Sequence, residues 1–178
     1  MMSARLMAVV VLGIVGLLML GEAKLSRRHE RVLRARGAME PPDDVYRTMR
    51  VMYPACFVVI ALEGVVRGTA TTSWWLAGAV LLTVSKALKY WAVTALGHRW
   101  TFRVLVLPGE PPVTSGPYRF LRHPNYVAVV GELIGMALMM AAPVTGTLAV
   151  AGFGGLMVRR MRVEERSLGR GKDKSGAP

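Results

Sequence analysis

Long apolar stretches separated by charged segments limit what this chain can fold into more than any other feature of its sequence. Five such stretches occur, at residues 6–20, 51–66, 74–96, 124–142 and 144–158. The net charge is +12, yet a hydrophobic content of 53% is too high for a soluble basic protein or a disordered basic tail. We therefore predict an all-α integral membrane protein with about five transmembrane helices, in one membrane-embedded domain over residues 1–168.

The positions of Lys and Arg predict how these helices are oriented. Residues 24–50, 97–125 and 159–178 together hold 19 of the 23 Lys and Arg residues, whereas the opposite side would keep only Arg5 and Arg67. Because cytosolic segments are enriched in Lys and Arg, we expect an outside N-terminus, a cytosolic C-terminus and a multi-pass location in the cell membrane. The positive charge would face the lipid bilayer and the cytosol, and we expect no nucleic-acid partner.

The first apolar stretch allows two interpretations. Residues 21–23 resemble the small-residue cleavage site of a signal peptide. However, one basic residue precedes the stretch and six follow it within residues 24–36, which favours a retained helix. The segment 24–50, with two prolines at 41–42, is predicted to be an amphipathic or irregular cytosolic loop. Its charges are expected to be solvated and lipid-facing, and not part of a substrate site.

Few charged residues fall within the predicted helices. Lys86 and Lys89, near the end of helix three, are expected to snorkel to the lipid headgroups. Glu132 lies inside helix four, where an acid is either a partnered group that shapes a site or a hydrogen-bonding group in helix packing. Gly131 and Gly135 of the same helix have the spacing that permits close helix–helix contact.

The residue types argue against a metal site or a disulfide. The chain has a single cysteine, Cys56, and its three histidines, His29, His98 and His123, are far apart in sequence. Zinc sites usually take such ligands in closely spaced pairs. We therefore expect no bound metal.

The segment from Gly116 to Tyr126 joins a rigid polar stretch to the apolar stretch of helix four. Pro124 suits the first turn of that helix, because its missing N–H would have no helical partner there. His123 and Arg122 then lie at the helix N-terminus, where unpaired N–H groups favour an anion. The segment predicts a ligand site at the membrane surface.

A second polar group is predicted on the same face of the membrane. Helix five would continue to about Leu168 and carry Arg162, Glu164 and Glu165 on an end that projects from the bilayer. The two glutamates either form surface ion pairs, such as Arg160 with Glu164, or belong to the ligand site. Their position on the same cytosolic face as the start of helix four favours the site.

Motifs in the second half of the chain resemble the isoprenylcysteine carboxyl methyltransferase family. They are Leu96-Gly97-His98-Arg99-Trp100-Thr101, Thr114-Ser115-Gly116-Pro117-Tyr118-Arg119 followed by Arg122-His123-Pro124-Asn125-Tyr126, and Arg162-Val163-Glu164-Glu165. The resemblance covers about residues 96–168, the expected catalytic part. Within the family, the chain looks closest to short bacterial members found beside type III polyketide synthases, which O-methylate alkylpyrones.

The resemblance implies S-adenosylmethionine as the cofactor, bound at the cytosolic ends of the last helices. The residues that match the family's motifs imply that His123 and the N-terminus of helix four hold its methionine carboxylate, and that Tyr118 and Tyr126 line the pocket. The other implied cofactor-binding residues are Arg122, Pro124, Asn125 and Glu164. No glycine-rich nucleotide loop is needed, and Gly152-Phe153-Gly154-Gly155 in helix five is predicted to serve helix packing.

The implied reaction is methyl transfer to a carboxylate or acidic enol oxygen of a lipid-tailed acceptor. Arg162, Glu164 and Glu165 are the implied catalytic residues. Such an oxygen is already ionised near neutral pH, so these residues are expected to position groups more than to act as a base. An alkylpyrone-like polyketide is the favoured acceptor, with a type III polyketide synthase as pathway neighbour and a prenylcysteine-like acceptor as the alternative.

Two other functions stay open. A sterol-reductase-type membrane enzyme also carries an Arg-His-Pro-Asn-Tyr helix start and would use NADPH. A non-catalytic membrane adaptor would act through residues 24–50.

The chain also lacks the aromatic-rich tail of longer family members, and residues 169–178 are predicted to be disordered.

Overall fold

The computed structural model describes residues 4–68, 71–107 and 109–173, with side chains up to residue 167. Its five α-helices are α1 (Ala4–Ala35), α2 (Tyr46–Arg67), α3 (Thr72–Leu96), α4 (Pro124–Met139) and α5 (Pro143–Asp173). Helices α1, α2 and α3 are long and apolar enough to cross a membrane, and α4 is a shorter apolar helix. The predicted all-α membrane class is confirmed, and exposed apolar side chains such as Leu17 and Val66 lie on the outside of the bundle, where lipid would contact them.

Helix α1 is longer than the sequence predicted, because it continues through the basic segment to Ala35. Gly37 then ends it with a φ of 85°, and the Ala38 N–H donates to the Leu33 carbonyl at 3.0 Å, as in a glycine-capped helix end. The predicted loop over 24–50 is therefore wrong for its first half. This part of α1 stays helical because it packs against the protein, with Leu33 only 2% exposed.

Helices α3 and α4 pack so closely that small residues are required between them. A Cβ atom on Gly135 would lie 2.9 Å from the Gly78 carbonyl oxygen and 2.8 Å from the Leu82 nitrogen. A Cβ atom on Gly131 would overlap the Ser85 hydroxyl. The close contact predicted from the spacing of Gly131 and Gly135 is confirmed.

The glycines of α5 do not all serve packing. A Cβ atom on Gly152 would lie 2.9 Å from Met52 Cε of α2, whereas Gly154 and Gly155 have nothing within 4 Å in the described part of the chain. The packing role predicted for this stretch is therefore confirmed at Gly152 and wrong for the other two glycines, whose side of the helix faces open space.

Glu63 of α2 positions the start of α5. Its carboxylate accepts hydrogen bonds from the N–H groups of Val144 and Thr145, at 3.3 and 2.7 Å. A carboxylate at a helix N-terminus satisfies unpaired donors and offsets the positive end of the helix dipole. The contact fixes the helix that carries Arg160 and Glu164 at its far end.

Helix α5 extends past its apolar part, as the sequence predicted, and is described as far as Asp173. The tail predicted to be disordered at 169–178 therefore begins inside this helix. Residues 174–178 lie outside the described residues.

Four charged side chains from α1, α3 and α4 form a buried ion cluster. Lys89 Nζ lies 2.7 Å from Glu22 Oε2 and 3.4 Å from Glu132 Oε1. Lys86 Nζ lies 2.8 Å from Glu132 Oε2 and 3.2 Å from Glu22 Oε1, and the Tyr53 hydroxyl donates to Glu132 at 2.5 Å. The prediction that both lysines snorkel to the headgroups is wrong, because two buried carboxylates balance their charges inside the bundle.

Candidate active site

The loop between α3 and α4, described at residues 97–107 and 109–123, covers one end of the bundle and is fastened to α1. Ser26 Oγ accepts a hydrogen bond from the Phe102 N–H at 2.9 Å, and His29 Nδ1 donates to the Trp100 carbonyl at 2.8 Å. Both α1 side chains lie in the basic segment, so this segment holds the loop in place.

Ion pairs hold the same loop from outside. Arg36 lies 2.5 Å and Arg99 2.7 Å from the Glu110 carboxylate, and Arg103 lies 2.6 Å from Glu40. The segment 24–50 was predicted to be a solvated, lipid-facing charge run. That prediction is wrong for the residues that face the loop, since their charges are paired across it.

The start of α4 meets the polar end of α5. Helix α4 begins at Pro124, as predicted, with the His123 ring stacked on the Tyr126 ring at 5.4 Å. The Tyr126 hydroxyl donates to Glu164 Oε1 at 2.6 Å. His123 Nδ1 lies 3.9 Å from Glu164 Oε2, and its Nε2 lies 3.8 Å from Glu165 Oε1. The structure thus brings together side chains from the two segments that the sequence placed on one face.

Arg160 is a site residue that the sequence did not single out. It is 8% exposed, its Nε donates to Glu164 Oε1 at 3.1 Å, and its guanidinium also donates to the Phe102 carbonyl. The ion pair between Arg160 and Glu164, one of the two alternatives for these glutamates, exists, but its arginine is buried under the loop and the pair belongs to the site. The available signal was the i,i+4 spacing, which puts both side chains on one side of α5.

Arg162 and Glu165 lie at the edge of this group. Arg162 is exposed and lines neither of the two cavities described below. With 3.6 residues per turn, it points about 200° around α5 from Arg160. The Glu165 side chain is 60% exposed and approaches the site through His123.

A cavity of about 300 Å³ lies under the loop, and its wall combines apolar side chains of the loop with charged side chains; we call it the polar cavity for these charged groups. All residues predicted to bind a cofactor line it except Pro124, which is buried at the start of α4. The lining residues among them are Tyr118, Arg122, His123, Asn125, Tyr126 and Glu164. Arg160 lines it as well, so the cavity offers both cationic and anionic groups.

Tyr118 reaches the polar cavity from a 3-10 turn at Gly116–Arg119. Burial, helped by the nearby Glu164 carboxylate, raises the pKa of the Tyr118 phenol well above its usual value. The phenol therefore stays neutral and able to donate a hydrogen bond throughout the physiological pH range.

A second, apolar cavity of about 470 Å³ lies between α1, α2, α4 and α5. Its wall includes Met19, Met49, Val129, Phe153 and Met157. The residues that line both cavities are Thr101, Asn125, Tyr126 and Arg160. The polar and apolar cavities therefore meet at these side chains, which we call the junction.

Asn125 Oδ1 at the junction is buried and has no hydrogen-bond partner among the described residues. A buried acceptor without a partner is costly, so it favours a donor from a bound molecule. No three His, Cys, Asp or Glu side chains lie close enough to hold a metal ion in the part of the chain that the structure describes.

Comparison with known proteins finds that the candidate site lies in the part of the chain that matches a protein family. A sequence model of the isoprenylcysteine carboxyl methyltransferase family matches residues 77–170. The chain is 31% identical to the uncharacterized protein YpbQ of Bacillus subtilis over 147 residues, 83% of this chain and 88% of that protein. It is 24% identical to an uncharacterized protein of Haemophilus influenzae over 145 residues, 81% of this chain and 84% of that protein. No solved structure matches the chain significantly.

Proposed function

Because the chain belongs to the isoprenylcysteine carboxyl methyltransferase family, we propose that it transfers a methyl group from S-adenosylmethionine to an oxygen of a lipid-tailed acceptor. Its family and its apolar helices make it a membrane methyltransferase. The cofactor, the methylated oxygen and the acceptor are the parts that we propose.

One observation carries this proposal: a polar cavity and an apolar cavity meet at Asn125, Tyr126 and Arg160. A polar, charged cofactor and an apolar acceptor need separate binding spaces, yet their reacting atoms must come into contact. The cavity under the loop and the more apolar cavity share these side chains, so two molecules bound in them would approach each other at this point.

The residues of the polar cavity fit the charges of S-adenosylmethionine. Its carboxylate would be held by His123 and the N-terminus of α4, with Arg122 as an additional cation in the lining. Its cationic groups would face Glu164, and its ammonium could donate to the unpaired Asn125 Oδ1. When bound, the cofactor supplies an electrophilic methyl group.

The pairing of the arginines favours this cofactor over NADPH. Arg99, Arg103 and Arg160 line the polar cavity, but each forms an ion pair with a glutamate. Arg122 is the one arginine of the described lining without such a pair. A single available guanidinium suits one carboxylate, whereas NADPH presents a pyrophosphate and a 2′-phosphate.

Methyl transfer is an in-line displacement at carbon, in which an oxygen–carbon bond forms, the carbon–sulfur bond breaks and a neutral thioether leaves. The main contribution of the protein is to align the acceptor oxygen behind the methyl group. A carboxylate or acidic enol is already ionised near neutral pH, so no strong base is required. Arg160 is paired with Glu164, but its guanidinium has further N–H groups beyond those bonded to Glu164 and the Phe102 carbonyl, and one of these would donate to the acceptor oxygen at the junction. Glu164, which bonds both Arg160 and Tyr126, is a positioning residue for this pair.

The acceptor and the topology complete the proposal. We favour an alkylpyrone-like polyketide made by a type III polyketide synthase, with a prenylcysteine-like compound as the alternative. The N-terminus lies outside the cell membrane in this proposal, because the opposite orientation would reverse the observed Lys and Arg distribution. The polar cavity then opens to the cytosol, where the cofactor is available.

Binding of tritiated S-adenosylmethionine and of NADPH to protein in lipid nanodiscs tests the proposal. We expect saturable binding of the first and none of the second, and the reverse result would support the reductase. Incubation of membranes with labelled cofactor, followed by mass spectrometry of the lipid extract, should identify a methylated product. If His123→Ala left all cellular function intact while charge reversal in residues 24–50 abolished it, the adaptor would be correct.

A further inference from the structure

Two arginines at the apolar cavity have no acidic partner among the described residues. Arg27 of α1 and Arg50 of α2 both line this cavity, and both are exposed. The Arg27 Nε donates to the Ala23 carbonyl at 3.3 Å. Neither guanidinium forms an ion pair with any residue in the described part of the chain.

The other charged residues of this lining are balanced. Glu22 and Lys89 belong to the buried ion cluster, in which two carboxylates meet two ammonium groups. Arg160 is paired with Glu164. The cavity therefore has an excess of two positive charges, and this excess lies at Arg27 and Arg50.

Both arginines lie at one end of the cavity, so the cavity has a charged entrance and a mainly apolar interior. Arg27 lies five residues beyond Glu22, which is about 7 Å further along α1. Arg50 lies near the start of α2, at the same end of the bundle. The interior between the helices is lined mainly by Met19, Met49 and other apolar side chains, with the charges of Glu22 and Lys89 balanced in the ion cluster. Methionines adapt to varied apolar shapes.

Charge complementarity identifies the occupant of such a space. A guanidinium forms a planar pair of donors that matches a carboxylate or a phosphate, and two of them without partners attract an anion. An apolar cavity with this entrance fits an amphiphile whose head is negatively charged. A neutral amphiphile with the same tail would leave both exposed guanidinium groups bonded to water, without the attraction of an opposite charge.

We propose that Arg27 and Arg50 form a cationic entrance that selects an acceptor with an ionised acidic head over a neutral one with the same tail. The inference rests on the proposed function, because it takes the apolar cavity as the acceptor site. Neither arginine lines the polar cavity. They are therefore specificity-determining residues that act on acceptor affinity, not catalytic residues.

Probe binding to the full chain in neutral phosphatidylcholine nanodiscs tests the entrance. Palmitate and hexadecanol serve as probes, because they share a tail and differ in head charge. We expect the unmodified protein to bind palmitate at least about tenfold more tightly than hexadecanol. A tenfold difference in affinity corresponds to the net contribution of about one charge-assisted hydrogen bond. The double variant Arg27→Gln with Arg50→Gln should bring the two affinities within about twofold of each other.

Arg28 and Arg47 provide a matched control. They lie on the same two helices, are exposed and line neither cavity. Arg28→Gln with Arg47→Gln makes the same change in net charge and should keep the preference for palmitate. Equal losses in both double variants would overturn the proposal in favour of a general surface charge effect.

Two further measurements separate the remaining outcomes. If the arginines affected binding only in nanodiscs that contain phosphatidylglycerol, they would bind bilayer headgroups and the proposal would be wrong. Binding of S-adenosylmethionine is measured in the same samples. If the unmodified protein binds the cofactor but shows no preference for palmitate, the cationic entrance is refuted and the proposed function is not. If the unmodified protein does not bind the cofactor, the proposed function itself is refuted.

Discussion

Lys89 Nζ of α3 lies 2.7 Å from Glu22 Oε2 of α1, and these residues are 2% and 4% exposed. Glu22 lies outside the family-matched residues 77–170, whereas Lys89 lies inside them. The pair therefore fastens the first helix to the part of the chain that carries the site. Burial of both charges makes the contact sensitive to the loss of either partner.

Lys89→Met should destabilise the protein by about 3–5 kcal/mol, because it leaves the cluster with one unbalanced carboxylate. Adding Glu22→Gln should recover part of this loss, since Lys86 and Glu132 then remain as a balanced pair 2.8 Å apart. Thermal unfolding in detergent, followed by fluorescence-detected gel filtration, measures both. A double variant less stable than Lys89→Met alone would contradict this account.

Arg160→Gln should reduce methyl transfer by at least about 100-fold, the effect of removing a positioned charged donor, which corresponds to about 2.7 kcal/mol. Arg162→Gln removes the same charge two residues away and should change the rate by less than about threefold, because Arg162 is exposed and lines neither cavity. Transfer of label from S-adenosylmethionine to a membrane lipid extract compares the two. Equal losses would argue that both arginines are part of the site.

His123→Ala should weaken binding of S-adenosylmethionine about tenfold, because it removes a hydrogen-bond donor at the start of α4 and a ring stacked on Tyr126. His98→Ala is the control, since His98 contacts Arg36 outside the polar cavity. Equilibrium binding of tritiated cofactor measures both affinities. Unchanged binding by His123→Ala would place the carboxylate site elsewhere.

Gly135→Ala should destabilise the protein by about 1–3 kcal/mol, because its new methyl group meets backbone atoms of α3. Gly154→Ala is the matched substitution in α5, where nothing lies within 4 Å among the described residues. It should be neutral or stabilising by up to about 1 kcal/mol, since alanine favours the helix. Thermal unfolding measures the stability of both variants. A larger loss of stability in Gly154→Ala than in Gly135→Ala would contradict the close packing of α3 and α4.

Acidification should loosen the loop between α3 and α4 through Glu40. Partial burial acts to raise the pKa of Glu40, but hydrogen bonds from Arg34 and Arg103 lower it below its usual 4.5. A carboxyl with a lowered pKa in the folded state contributes stability above 4.5, and this contribution is lost as the pH falls through the lowered value.

Hydrogen exchange measures this loosening at the Val106 amide, which donates to the Met39 carbonyl next to Glu40. After correction for the intrinsic pH dependence of exchange, its protection should fall below pH 4.5 in the unmodified protein. In Glu40→Gln the protection should be lower and independent of pH in that range. Equal pH dependence in both proteins would assign the effect to another group.

Local chemistry was sufficient to predict much of the fold. The apolar stretches predicted helices α3, α4 and the apolar part of α5, and Pro124 predicted where α4 begins. Charge patterning was less informative. Residues 24–35 look solvated in sequence, yet they are helical because their buried side, including Ser26 and Leu33, packs under the loop.

What the sequence by itself determined was the membrane class, the start of α4 and the two segments that form the site, because hydropathy and proline geometry act over a few residues. Which arginine faces the site, and whether Lys89 reaches lipid or Glu22, depends on partners far apart in the chain. Glu22 and Lys89 are 67 positions apart, and only the assembled helix bundle brings their charges into contact. Burial then removes water as the alternative partner, so the tertiary structure decides between a snorkelling lysine and a buried ion pair.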